Sequence, residues 1–295
     1  VANRHYAKIG DVWKHLALAQ LLQAQAPAVY WESHAGAADY ALAHSLARDY
    51  GAYYFFDNAQ RSERLLRTPY YEILRSLASG AGELRTYPGS PLIAMRVMKD
   101  AAARFLFCDI DQDSLSTIQR RADELRLAAR VETEQANGVT ALSRETSVLS
   151  QADAPRIFAH LDPYLPFAKD DDGLNTADVF CELTAKGAHV MVWYGFSSED
   201  EAAVLMKEIR VVASDHRICP ADHRLWRGEI ALVAMHDPDF DINPGVMGCG
   251  VLCSNFTEDA LMSCAKLGTE LGRIYSDAKF PDGSTGALEF RQPSF

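Results

Sequence analysis

Residues Ala28-Val29-Tyr30-Trp31-Glu32-Ser33-His34-Ala35-Gly36-Ala37 pass from an apolar, aromatic-rich run into a turn of small residues. Residues 28–33 (AVYWES) read as a strand, and the turn after it lets backbone approach a ligand closely. The same unit recurs along the chain. Residues 104–109 (RFLFCD) form a second strand, followed by a helix over about 114–127. Residues 130–135 (RVETEQ) form a third, closing at Asn137-Gly138, and residues 156–162 (RIFAHLD) a fourth, broken by Pro163. Residues 188–194 (AHVMVWY) form a fifth and lead into a helix over 198–212. Residues 229–235 and 250–254 are the sixth and seventh.

Near-continuous apolar strands separated by helices indicate a mostly parallel sheet covered on both faces. The last two strands lie about fifteen residues apart across a Pro- and Asp-rich loop, too short for a crossover helix, which predicts an antiparallel edge pair. The expected fold is therefore α/β and Rossmann-like: a seven-stranded, mostly parallel sheet with a reversed edge, as in S-adenosylmethionine (SAM)-dependent methyltransferases. One domain over residues 1–295 is expected. Residues 39–87 interrupt the alternation as an aromatic-rich helical insertion after the first strand, with no strand periodicity. An insertion there sits over the carboxyl edge of the sheet, as a substrate lid or as extra helices packed on the body.

Composition narrows the class. Hydrophobic residues make up 48% and charged residues 23%, the proportions of a globular protein, and no run of 18 apolar residues offers a membrane span. Residues 1–14 carry Arg4, His5, Lys8, Asp11 and Lys14 without an apolar stretch, so no secretory signal is expected and the cytoplasm is the expected location. The six cysteines lie mostly in apolar runs and read as reduced core thiols. Cys249, Cys253 and Cys264 lack a CxxC pair or neighbouring histidine, so no metal is expected. Forty acidic against 29 basic residues give a net charge of −11, the reverse of a protein that grips nucleic acid mainly through phosphates. Arg61, Arg64, Arg67 and Arg75, and Arg120, Arg121, Arg126 and Arg130, recur at helical spacing and read as solvated faces.

Four loops would converge at the carboxyl edge. The first is Ser33-His34-Ala35-Gly36-Ala37. The second carries Asp109, placed where nucleotide-binding α/β folds hydrogen-bond ribose hydroxyls, with Asp111 competing for the role. The third is Asn137-Gly138, whose amide could read an adenine, and the fourth is Asp162-Pro163-Tyr164. Each also has a plain structural reading, Asn-Gly as a turn and Asp-Pro as a strand terminator. Their order at four successive strand ends carries more information than any one of them.

Longer strings add to this. Arg4-His5, Gly10-Asp11-Val12-Trp13-Lys14-His15, Ser33-His34-Ala35-Gly36-Ala37 with Tyr40, Tyr87-Pro88-Gly89-Ser90-Pro91-Leu92-Ile93-Ala94, Ala136-Asn137-Gly138, Leu161-Asp162-Pro163, Val192-Trp193-Tyr194 and the segment 248–251 run through nearly the whole chain. Together they resemble the RlmJ family of 23S ribosomal RNA adenine-N6 methyltransferases. The resemblance implies that Lys14, His15, His34, Gly36 and Ser90 help hold SAM, with Asp109 on the ribose and Asn137-Gly138 on the adenine. It places Asp162, Pro163 and Tyr164 at the catalytic post, Asp162 touching the cofactor as well, and Arg4, His5, Tyr164 and Phe167 on the substrate. Read without it, Lys14-His15 is a pair opening an apolar helix and Ser90 a turn residue. The family's Asp-Pro-Pro-Tyr is altered here to Asp162-Pro163-Tyr164-Leu165-Pro166-Phe167, so the stacking ring comes from Tyr164 or Phe167. The family's tyrosine before Arg-His is Asn3.

The expected activity is SAM-dependent N-methylation of an amino group on a planar substrate, with rRNA adenine implied by the resemblance. A small planar molecule from a biosynthetic pathway is the alternative substrate, and a non-catalytic SAM- or nucleic-acid-binding module the alternative class. A dehydrogenase is disfavoured by the missing G-x-G-x-x-G after the first strand.

Overall fold

The computed structural model describes residues 5–80, 82–169, 173–233, 247–280 and 283–294. Its strands in chain order are β1 (Val29–Glu32), β2 (Asp39–Ala41), β3 (Thr86–Pro88), β4 (Arg104–Asp109), β5 (Val131–Gln135), β6 (Ile157–Leu161), β7 (His189–Phe196), β8 (Trp226–Leu232), β9 (Gly248–Ser254) and β10 (Leu288–Arg291). The main sheet has the order β10-β8-β9-β7-β6-β1-β4-β5. The pairs β5–β4, β4–β1, β1–β6 and β6–β7 are parallel, and β9 runs antiparallel to both β7 and β8.

The methyltransferase-type sheet expected from the sequence is therefore present, with two corrections. The sheet has eight strands rather than seven, because β10 pairs antiparallel with β8. The antiparallel pair β8–β9 is not the edge: β9 lies between β7 and β8, and β10 covers β8. The strand expected at 229–235 begins earlier, at Trp226, and residues 234–246, including most of the connecting loop, lie outside the described residues.

Alternation along the strands builds two cores. Tyr30, Phe105, Phe107, Phe158 and Met191 face one side, where helices Ile9–Gln25, Ser90–Val97 and Glu258–Ile274 pack. Trp31, Leu106, Ala159, Leu161, Val190 and Val192 face the other, under helices Gly138–Val148, Thr176–Lys186 and Glu199–Asp215. Burying both faces is what permits strands as uniformly apolar as β6.

Helix Ile9–Gln25 is apolar on nearly every side and is buried accordingly. It starts at Ile9, so Lys14 and His15 lie in its second turn and do not open it. Asp11 accepts a hydrogen bond from Lys8 N at 3.2 Å, closing the first turn where a carboxylate also suits the helix dipole. The chain leaves the helix at Ala26, just before Pro27.

The segment 39–87 is helical over most of its length, but its ends pair as the antiparallel strands β2 and β3, which correct the reading of no strand there. Its aromatic residues are built into the body. Tyr50, Phe55 and Tyr70 belong to the first core, and the Tyr275 hydroxyl donates to Tyr50 O at 2.9 Å and Gly51 O at 3.0 Å. The cysteines Cys108, Cys181, Cys249, Cys253 and Cys264 are buried and Cys219 is exposed. Among the described residues no helix is long and apolar enough to cross a membrane.

Candidate active site at the strand ends

The carboxyl ends of β1, β4, β5 and β6 bring their loops together through backbone contacts. Ala35 N donates to Cys108 O at 2.9 Å, Ser33 N to His160 O at 3.2 Å, and Ala136 N to Asp109 O at 3.1 Å. Gly138 lies so close to the first loop that a Cβ there would stand 1.5 Å from Ser33 O, so this position requires glycine. Gly36 takes φ of 60°, in the left-handed region, and turns its N–H onto Asp109 Oδ2 at 2.7 Å. The Pro88-Gly89-Ser90-Pro91 turn docks on the same loop, Gly89 N donating to Ala38 O at 2.9 Å, which puts the buried Ser90 at the start of its helix beside Ala37-Ala38.

The two competing acids separate by what they hold. Asp109 accepts from Gly36 N and, through Oδ1, from Asp111 N at 2.9 Å, so it faces the small-residue turn. Asp111 caps helix Gln112–Glu124, accepting from the Ser114 hydroxyl at 2.7 Å, and this bond holds its carboxyl below the usual carboxylate range. Ile110 between them is 74% exposed, an apolar side chain beside the acid that sequence reading passed over. Asn137 caps the next helix, its Oδ1 accepting from Val139 N at 2.9 Å.

Lys14 reaches the same edge from helix Ile9–Gln25. Its ammonium lies 2.6 Å from Asp162 Oδ2 and 3.1 Å from Asp11 Oδ1, and 5.7 Å from the centre of the Trp193 ring. Lys14 is 7% exposed. Burial works against its charge, but Asp162 and Asp11 outweigh burial and raise its pKa above the usual lysine value. Burial likewise opposes the Asp162 charge, and Lys14 brings its carboxyl below its ordinary range. Asp162 is thus held as a carboxylate. Asp11, desolvated by burial and facing Asp162, is shifted upward despite Lys14.

His15 is buried with its Nδ1 3.0 Å from the Tyr87 hydroxyl, which meets the Tyr70 hydroxyl at 2.9 Å. Burial and then the Lys14 charge push its pKa well below the ordinary histidine value. His34, whose Nδ1 lies 2.6 Å from Ser33 Oγ, is lowered by burial despite Asp162 and Asp109. Under these groups lies a buried set missed in the sequence: Glu32 at the end of β1 and His160 of β6, register partners, with Tyr30.

The structure brings Lys14, His15, His34, Gly36, Asp109, Asn137, Gly138 and Asp162 to one sheet edge, with Pro163 buried behind Asp162. The aromatic candidates differ in setting. Tyr164 is 81% exposed, whereas Phe167 is half-buried against the second core. His5 is exposed, its Nδ1 3.2 Å from Lys8 Nζ, and Arg4 lies outside the described residues. A cleft of about 510 Å³ between Lys99, Asp100, Glu124 and Arg126 lies at the opposite, amino edge of β4 and β5 and holds none of these residues. Among the described residues no group of three His, Cys, Asp or Glu side chains is arranged to hold a metal ion.

Comparison with known proteins bears on this arrangement. A family model, RsmJ, described as ribosomal RNA large subunit methyltransferase D, RlmJ, matches residues 25–219. No curated protein sequence matches the chain. Among solved structures, protein LPL1258 from Legionella pneumophila str. Philadelphia 1, of the family DUF519, superposes with a TM-score of 0.75 at 18% identity over 98% of each chain. An O-methyltransferase from Bacillus cereus in complex with SAH aligns with a TM-score of 0.41 at 10% identity, over 82% of this chain and 80% of that one. An RNA methyltransferase from Salinibacter ruber in complex with S-adenosyl-L-homocysteine (SAH) aligns at 0.27 and 13% identity, over 62% and 72%.

Proposed function

Because the chain belongs to the RlmJ family of ribosomal RNA large subunit methyltransferases, we propose that it methylates the exocyclic N6 amine of an adenine in 23S rRNA. Membership makes it a methyltransferase with SAM as methyl donor. The residues at the sheet edge fit that cofactor. Three turns of small residues meet there, the half-buried Asp109 carboxylate suits ribose hydroxyls, and the exposed Ile110 offers an apolar face to a ring. Lys14, His15, His34, Gly36 and Ser90 would hold the methionine end, Asp109 the ribose, and Asn137-Gly138 the adenine.

When bound, SAM supplies an electrophilic methyl group on its sulfonium. Everything else is positioning by the chain. The observation that carries the amine reading is Asp162, a carboxylate fixed through Oδ2 by Lys14 at the end of the central strand β6. Its Oδ1 would accept a hydrogen bond from the amine, orient the nitrogen lone pair and offset the positive charge that grows on it. Pro163 stiffens the turn after it, and Tyr164, at the surface, is placed to stack on an incoming base, as aromatic platforms do. Phe167, packed against the body, would close the substrate side. Asp162 keeps its charge at neutral pH, as this role requires.

The test is nucleoside mass spectrometry of unmodified 23S rRNA after incubation with SAM. N6-methyladenosine is the expected product. A methyl group found only on another nucleoside would remove the adenine-N6 assignment.

A further inference from the structure

Glu32 and His160 are directly paired across β1 and β6, and both are fully buried on the face covered by helix Ile9–Gln25. His160 Nδ1 lies 2.8 Å from Glu32 Oε1, and the Tyr30 hydroxyl donates to Glu32 Oε2 at 3.1 Å while lying 3.2 Å from His160 Nδ1. A carboxylate offers only acceptors, so the contact with Glu32 favours the tautomer with the ring proton on Nδ1, which leaves Nε2 as the acceptor. Nε2 is buried without a hydrogen-bond partner. A polar atom in that state calls for a partner that the chain does not supply. Its charged and titratable surroundings are Asp162, His34 and His15, with Lys14 and Asp11 just beyond on the helix.

We propose that His160, held by Glu32, is a cofactor-binding residue whose Nε2 accepts a hydrogen bond from the α-ammonium group of SAM. The inference rests on the methyltransferase reading and names one contact within it. An acceptor needs a donor, and the sulfonium and carboxylate of the cofactor carry none. Its ribose hydroxyls and adenine amine belong with Asp109 and Asn137, at the ends of β4 and β5, on the far side of β1 from His160. The α-ammonium, with three donors, is the remaining group. The charge agrees: Asp11 and Asp162 flank the Lys14 ammonium, and Glu32 lies against His160, so the cluster can take another cation. The ammonium would enter between the β1 and β6 loops. Glu32 acts through His160 as a positioning residue by fixing the tautomer.

The experiment compares SAH with its deaminated analogue, in which hydrogen replaces the α-amino group, by calorimetry on the full chain. Wild type is expected to prefer SAH by about tenfold or more, the scale of a charge-assisted hydrogen bond. His160→Ala should lose most of that preference through weaker SAH binding, while binding the analogue as wild type does. His160→Gln, whose amide oxygen can stand near the place of Nε2, should recover part of it. His160→Ala with an unchanged preference, or with both ligands weakened equally, overturns the assignment. Should the variants not fold, ¹⁵N spectra of histidine-labelled wild type decide it. The His160 Nε2 resonance is expected to move with SAH and not with the analogue, and a resonance unmoved by SAH overturns the proposal. Folded wild type that binds neither compound contradicts the methyltransferase reading itself, and this contact with it.

Discussion

Lys14 joins two carboxylates inside the protein, and that makes it a stability residue as well as a candidate for the cofactor. Removing one partner of a buried pair leaves an uncompensated charge and costs about 3–5 kcal/mol. Lys14→Met is therefore expected to lower unfolding free energy by about that much in urea titrations, and adding Asp162→Asn should restore part of it. A Lys14→Met protein as stable as wild type would mean the pair contributes nothing. His15 makes a prediction about pH. Its folded pKa is depressed below the ordinary value near 6.5, so between the two values the unfolded chain binds the proton and the folded one does not. Its contribution is fully present above about pH 6.5 and is lost as pH falls below it. His34, depressed in the same direction, adds to the effect. Wild-type Tm should thus drop between pH 7 and pH 5, and His15→Asn should show a shallower drop over the same interval. Parallel profiles for the two proteins would remove His15 from the explanation. Asp109→Ala addresses the ribose contact: we expect SAH binding to weaken by about 1.5–3 kcal/mol, the value of hydrogen bonds to a charged group. Normal binding by Asp109→Ala would require another residue for the ribose.

At the scale of elements, most of the strands that were legible lie buried on both faces; β5 is the exception, polar and part-exposed, and was read from its place before Asn137-Gly138. The runs around β1, β4, β6, β7 and β9 are nearly all apolar, so their position and direction of travel could be read directly. β10 was not legible, because Leu288-Glu289-Phe290-Arg291 is four residues at an exposed edge with charges between the apolar positions. The start of β8 was hidden by Arg227 and Gly228, and β2 and β3 by having only three residues each. The candidate site was legible as strand-end positions, since Asp109, Asn137 and Asp162 punctuate runs. It was not legible as chemistry beneath them. Glu32 and His160 did carry a signal, because each is a titratable residue inside an otherwise apolar run. The pairing of β1 with β6 that joins them is a matter of topology, which local pattern does not contain. The approach of two loops makes a further prediction. Gly138→Ala would drive its Cβ into Ser33 O, forcing the β1 and β5 loops apart. It should cost about 1–3 kcal/mol of stability and weaken SAH binding, read by melting and calorimetry on one preparation. Unaltered SAH affinity would separate this loop from the cofactor.

For the whole molecule, the family match at residues 25–219 leaves helix Ile9–Gln25 and the strands β8 to β10 almost entirely outside it, yet the likeness to the Legionella protein covers 98% of the chain. The shared fold thus includes the helix that delivers Lys14. We read residues 39–87 as an insertion fixed to the body rather than a hinged flap, since Tyr50, Phe55 and Tyr70 are core residues. With a net charge of −11, the RNA contact we propose would rest on local surface rather than overall attraction, and binding by few phosphate contacts has a shallow salt dependence. The most direct measurement follows labelled methyl from SAM into protein-free 23S rRNA under single-turnover conditions, with small-molecule extract present as competitor and Asp162→Ala run beside wild type. Label is expected in the RNA, on adenine, and to fall by about a hundredfold or more in folded Asp162→Ala at saturating SAM, because the lost interaction belongs to the transition state. RNA left unlabelled by folded wild type while a small molecule takes the methyl, or equal rates for the two proteins, would contradict the account.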